Sequence, residues 1–171
     1  QRPEPTFDLV DVVDLHLLQF AEMRVERPRD VGVLAVALVL KDAEYQLMRG
    51  FTTVRDTGGS VFGIKAAIDR GIVPGPRCYP SGAAISQTSG HGDPGPIDEL
   101  PATLGGEPSR FQRSGMTAVA NGVPEVLAAT RQQLKRGSSQ IKIMAGGGVT
   151  SDHDPIDTLQ YTPEELRAIV Q

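Results

Sequence analysis

Short apolar runs that end in glycine, each tied to a helical pattern, recur along this chain and leave it few folds to choose from. Phe51-Thr52-Thr53-Val54-Arg55-Asp56 runs into Gly58-Gly59, and Gln140-Ile141-Lys142-Ile143-Met144 runs into Gly146-Gly147-Gly148. β-Branched runs stopped by glycine read as buried strands meeting tight loops. Residues 8–17, rich in valine and leucine, read as an earlier strand, and 77–80, between prolines and glycine, as a weaker one. The strand candidates are therefore 8–17, 51–56, 77–80 and 140–145. Between and after them stand helical patterns: 29–49 closed by Gly50, 61–70 capped by Ser60 and closed by Gly71, and 123–136 with Pro124 in its first turn. Thr162-Pro163-Glu164-Glu165 has the form of a capping box with proline at the first helical position. Strands alternating with helices demand a parallel sheet with right-handed crossovers, hence an α/β fold. The choice is an open doubly wound sheet or a (β/α)8 barrel, and four units make about half of a barrel. In both, chemistry collects at the carboxyl ends of the strands. Residues 81–118, glycine-rich and with four prolines, are too long for an idle connection and read as a functional loop or lid.

Composition narrows the function classes. A chain of 171 residues fits one domain with a real core, so 1–171 is read as a single domain. Its net charge of −4 leaves no basic footprint for nucleic acid. The longest nearly continuous apolar stretch, 31–40, is far short of the roughly 20 residues a membrane span needs, and reads as a core element. Cys78, the single cysteine, has no partner in the chain, which fits a reducing, cytoplasmic setting. No signal peptide is visible. The chain opens on Gln1 rather than methionine and stops inside a helical pattern, so both ends read as cut.

Lys142 is the most informative residue. Alternation along a strand turns it away from Ile141 and Ile143, and a cation flanked by core residues is costly unless it is paired or loses its charge. Enzymes use such lysines as nucleophiles, as phosphate anchors, or as amines that add carbon dioxide and become carbamate metal ligands. A strand-end lysine reaching into solvent is the plain alternative. His16 shares a strand face with Asp14 and Leu18 and reads either as a core residue or as a metal ligand. His91, in Ser89-Gly90-His91-Gly92-Asp93, has glycines that let the backbone approach a ligand, with Asp93 available to orient the ring; the alternative is a solvated loop tip. His153 reads as loop surface. Thr57-Gly58-Gly59-Ser60 and Gly146-Gly147-Gly148 are candidate anion cradles without a dinucleotide or P-loop pattern. Ser86, Ser89 and Cys78 lack a nearby histidine that would make a nucleophile.

Taken together, these segments resemble the metal-dependent amidohydrolase superfamily, closest to its Xaa-Pro dipeptidase-like and imidazolonepropionase-related group. The stretches that carry the resemblance are Gly50 to Gly59, Ile85 to Asp93 with its Gly-His-Gly-Asp ending, Gln140 to Met144 with the following glycines, and Tyr161 to Leu166. The resemblance implies a TIM-type (β/α)8 barrel, this chain covering the first four βα units, with one or two divalent metals, usually zinc. It makes Lys142 the carboxylated lysine that bridges the metals and His16 the first of two first-strand histidines. Leu18 stands where the second is expected, a departure from the pattern. The proton-shuttling aspartate is expected beyond Gln171, and His91 lies in the loop after the third strand, where the resemblance implies contact with substrate or capping of the site. The implied activity is hydrolysis of small amides, dipeptides among them. The contrasting reading is a non-catalytic half barrel that survives by association with itself or with a partner supplying the missing half.

Overall fold

A computed structural model describes residues 28–149 and 153–171. The strand expected at 8–17, with His16 and Leu18, lies outside them. The described chain forms two units, one of residues 28–56 and 63–79, the other of 57–62, 80–149 and 153–171.

In the first unit, helix α1 (Pro28–Met48) begins with proline at a position where its missing N–H costs nothing. Strands β1 (Thr53–Arg55) and β2 (Arg77–Tyr79) pair in parallel, Val54 opposite Cys78, and both of those side chains are buried. Helix α2 (Phe62–Asp69), all but its first residue in this unit, is the crossover that a parallel pair requires. Gly50 and Gly71 follow the two helices with φ of 99° and 68°, as the sequence led one to expect. The apolar stretch 31–40 departs from expectation. It lies within α1, and from residue 34 to residue 40 no side chain is buried; Leu34 and Val36 are exposed. Apolar residues fall on every side of this helix, so no single face can bury them all.

The second unit contains the larger core. Strand β3 (Ala84–Ser86) pairs in parallel with β4 (Thr117–Val119) on one side and bridges Ile143 on the other. Ile85 N donates to Lys142 O at 2.9 Å, and Met144 N donates to Ile85 O at 2.9 Å. Ile85, Ala120, Val126, Tyr161 and Ile169 form the buried cluster, with Ile141, Ile143 and Leu166 packed against it. Helices α4 (Gly122–Arg136) and α5 (Pro163–Val170) cover this face. The stretch 81–118 is not one loop. It holds β3, a turn of 3-10 helix at Ala102–Leu104, helix α3 (Arg110–Ser114) and the start of β4. The strand expected at 140–145 is reduced to the pairing around Ile143. The pairing between named strands is parallel throughout, so the α/β class holds; the number of barrel units is not fixed by two pairs of strands. Among the described residues no helix is long and apolar enough to cross a membrane.

Candidate functional site

The carboxyl ends of β3 and of the Ile143 segment carry the candidate residues of the second unit. Ile141 and Ile143 pack on the core, so alternation turns Lys142 to the opposite face of the sheet. Ile85 lies beside Ile143 in the same core, which puts its neighbour Ser86 on the Lys142 face as well. Lys142 is half-buried, and among the described residues no carboxylate pairs with its ammonium.

His91 sits in a loop whose geometry is closely held. Ser86 Oγ accepts from Gly92 N at 2.9 Å, and Gln160 Oε1 accepts from His91 N at 3.2 Å. Gln87 O accepts from Gly90 N, and Asn121 Oδ1 accepts from Thr88 N, each at 3.0 Å. A Cβ at Gly92 would stand 2.7 Å from Ser86 Cβ, so the loop closes this tightly only with glycine there. Ser89 adopts a φ of 59°, a left-handed conformation uncommon for a residue with a side chain. The His91 ring is 37% exposed, and Nδ1 lies 2.9 Å from Oδ2 of Asp154, whose side chain is only 6% exposed. Asp93 does not hold the ring, contrary to the sequence reading; its Oδ2 accepts instead from Ser89 N at 2.9 Å. Asp154 was missed. It adjoins His153, which is exposed as expected, and nothing in the aperiodic run Ser151-Asp152-His153-Asp154-Pro155 separates the buried carboxylate from its neighbours.

Behind Lys142 the chain turns back on itself. Gly146 pairs antiparallel with Leu159, and Gln160 N donates to Ala145 O at 3.1 Å. A Cβ at Gly147 would run into the carbonyl oxygens of Asp154 and Pro155. Gly148 N donates to Asp154 Oδ2 and to Asp154 O, both at 3.1 Å. At the other candidate cradle, Gly59 N donates to Gly82 O at 3.1 Å. One amide in each glycine cluster is thus committed to the protein itself, which weakens the anion-cradle reading. Gln160 is 1% exposed, and its Nε2 has no hydrogen-bond partner among the described residues. Among the described residues no group of three or more His, Cys, Asp or Glu side chains could hold a metal ion. Lys142 alone falls short of the roughly three protein ligands a catalytic zinc takes.

A model of the amidohydrolase family matches residues 12–171. Ochratoxinase from Aspergillus niger is 43% identical over 132 residues, covering 73% of this chain and 27% of ochratoxinase. A solved prolidase complexed with N-methylphosphonate-L-proline is 44% identical with a TM-score of 0.72, covering 81% of this chain and 33% of the prolidase. A Xaa-Pro dipeptidase with methionine bound in its active site is 33% identical with a TM-score of 0.68, covering 88% and 36% respectively. The chain spans between about a quarter and about a third of the length of these proteins.

Proposed function

The chain belongs to the amidohydrolase family, and from that premise we propose that it serves metal-dependent hydrolysis of amide bonds in small substrates, dipeptides foremost. The observation that carries the reading is Lys142, turned from the core with no described carboxylate beside its ammonium. An amine so placed can take up carbon dioxide and offer two oxygens to a cation. The relatives, a prolidase, a Xaa-Pro dipeptidase and an ochratoxinase, support the hydrolase class and point to an amide in a small molecule. In this reading His16 and carboxylated Lys142 bind one or two divalent metals, zinc by preference, and His91 contacts the substrate. Such a metal, when bound, activates water for attack on the amide carbon. The described residues supply a single candidate ligand, Lys142. A cytoplasmic setting belongs to the same proposal and rests on the lone, buried Cys78.

The second reading, a non-catalytic scaffold that associates, is favoured by Leu18 at the expected second histidine and by the exposed apolar side chains of α1. Metal content separates the two. After purification with zinc and bicarbonate present, elemental analysis should find near-stoichiometric zinc, and Lys142→Ala should lose most of it. Equal metal in the variant would remove Lys142 from the site, and none in either protein would leave the scaffold reading.

A further inference from the structure

We propose that Asp154 is a positioning residue for His91: it holds the imidazole by Nδ1, leaves Nε2 as the nitrogen presented to substrate, and joins the ring to the glycine turn behind Lys142. The proposal rests on the reading that His91 contacts substrate and adds which nitrogen does so and what aims it.

Three observations converge. The carboxylate is inside and the ring is at the surface, with 6% and 37% of their side chains exposed and 2.9 Å between Oδ2 and Nδ1. A buried carboxylate needs donors, and the imidazole at 2.9 Å and Gly148 N at 3.1 Å both reach Oδ2. Two N–H donors on one oxygen suit an ionised carboxylate, which only accepts hydrogen bonds, and with Asp154 ionised Nδ1 carries a proton whether the ring is charged or neutral. In the neutral ring the lone pair is then on Nε2, the tautomer being set by the partner of the other nitrogen.

The backbone around the ring is held independently of Asp154. His91 N donates to the amide oxygen of Gln160, buried to 1% exposure, and Gly92 N donates to Ser86 Oγ on β3. The loop therefore fixes where the ring starts, and Asp154 fixes how it is turned. Asp154 is fixed in its own right, because Gly148 N donates to its main-chain oxygen and Gly147 leaves no room for a Cβ against it. The contact spans 63 residues of sequence and links the loop after β3 to the turn after the Lys142 segment. A displacement of that turn would consequently turn the imidazole.

The test is long-range 1H–15N NMR on the 171-residue chain labelled at histidine, His91 being identified by the signal lost in His91→Gln. Above the histidine titration range, wild-type His91 should show Nδ1 protonated and Nε2 bare. Asp154→Asn, whose amide oxygen can accept the same bonds, should keep that pattern, and Asp154→Ala should lose it for the mixture of tautomers seen in free imidazole. A wild-type ring protonated at Nε2 overturns the proposal without any variant, so an Asp154→Ala chain that fails to fold does not protect it. A folded Asp154→Ala chain with the wild-type pattern overturns it as well. Titration with alanyl-proline, read on the His91 signals, tests the underlying reading separately. Alanyl-proline should shift them, with affinity roughly tenfold weaker in Asp154→Ala and restored in Asp154→Asn. Signals unmoved by saturating dipeptide beside a locked tautomer would remove substrate from His91 and leave the Asp154–His91 geometry standing.

Discussion

Cys78 illustrates how neighbours decide whether a reactive side chain reacts. It is buried on β2, and burial, reinforced by Asp56 and Asp69 against an opposing pull from Lys65, pushes its thiol up to about 11. The thiolate is the nucleophile, and at pH 8 a thiol so placed is almost wholly protonated. Folded chain treated with iodoacetamide at pH 8 should therefore remain unlabelled by mass spectrometry and take up one label after unfolding in urea. Rapid labelling of the native chain would show that the thiol is neither buried nor suppressed. The same dependence on neighbours explains which site residues could be read from sequence. Lys142 could, because strand alternation is local and its flanking isoleucines declare the core face. Asp154 could not, because its place is defined by a histidine 63 residues away and by the missing Cβ of Gly147.

At the scale of elements, Glu165 joins two helices by their starts. Its Oε2 accepts from Thr162 N and its Oε1 from Gly122 N, both at 2.7 Å, while Thr162 Oγ1 accepts from Glu165 N at 3.3 Å. The two bonds between Thr162 and Glu165 close the capping box of α5, and the Gly122 bond reaches the first residue of α4. These hydrogen bonds, led by the one from Thr162 N, hold the Glu165 carboxyl below its ordinary pKa, against an opposing effect of burial. A depressed carboxylate binds protons more weakly in the folded chain than in the unfolded one. Its contribution is thus full above the unfolded pKa of about 4.3 and is lost as pH falls through the lower, folded value. Glu165→Gln should lower the melting temperature at pH 7, and the gap to wild type should narrow steadily as pH falls below the unfolded pKa. A gap that persists in acid would mean that the charge plays no part. The capping box was legible because its four residues are consecutive. Strands β3 and β4 were hidden in 81–118 because three-residue strands have no measurable period and owe their form to the partners beside them. The stretch 31–40 was misjudged for a different reason: apolar composition alone does not say whether a helix has anything to pack against.

Each unit leaves large apolar side chains uncovered among the described residues. Leu34, Val36 and Met48 of α1 are exposed, as are Ile97, Leu100 and Leu104 in one unit-two segment and Val149, Ile156 and Leu159 in another. Burying such surface is worth roughly 25 cal/mol per Å², and contiguous patches favour association. In the second unit β4 and the Ile143 segment flank β3, and among the described residues neither pairs with a further parallel strand. Unpaired edges are templates for another chain. The resemblance to a barrel was legible from its motifs, but the state of these edges depends on what lies against them, which local sequence does not encode. We expect the purified 171-residue chain to self-associate, with light scattering giving a mass that is a multiple of 18.3 kDa and rises with concentration. Met48→Lys and Leu159→Lys, placed on exposed side chains with 78% and 90% of their surface free, should reduce that mass without lowering the melting temperature. A monodisperse 18.3 kDa species at every concentration would show that these surfaces and edges are tolerated in water.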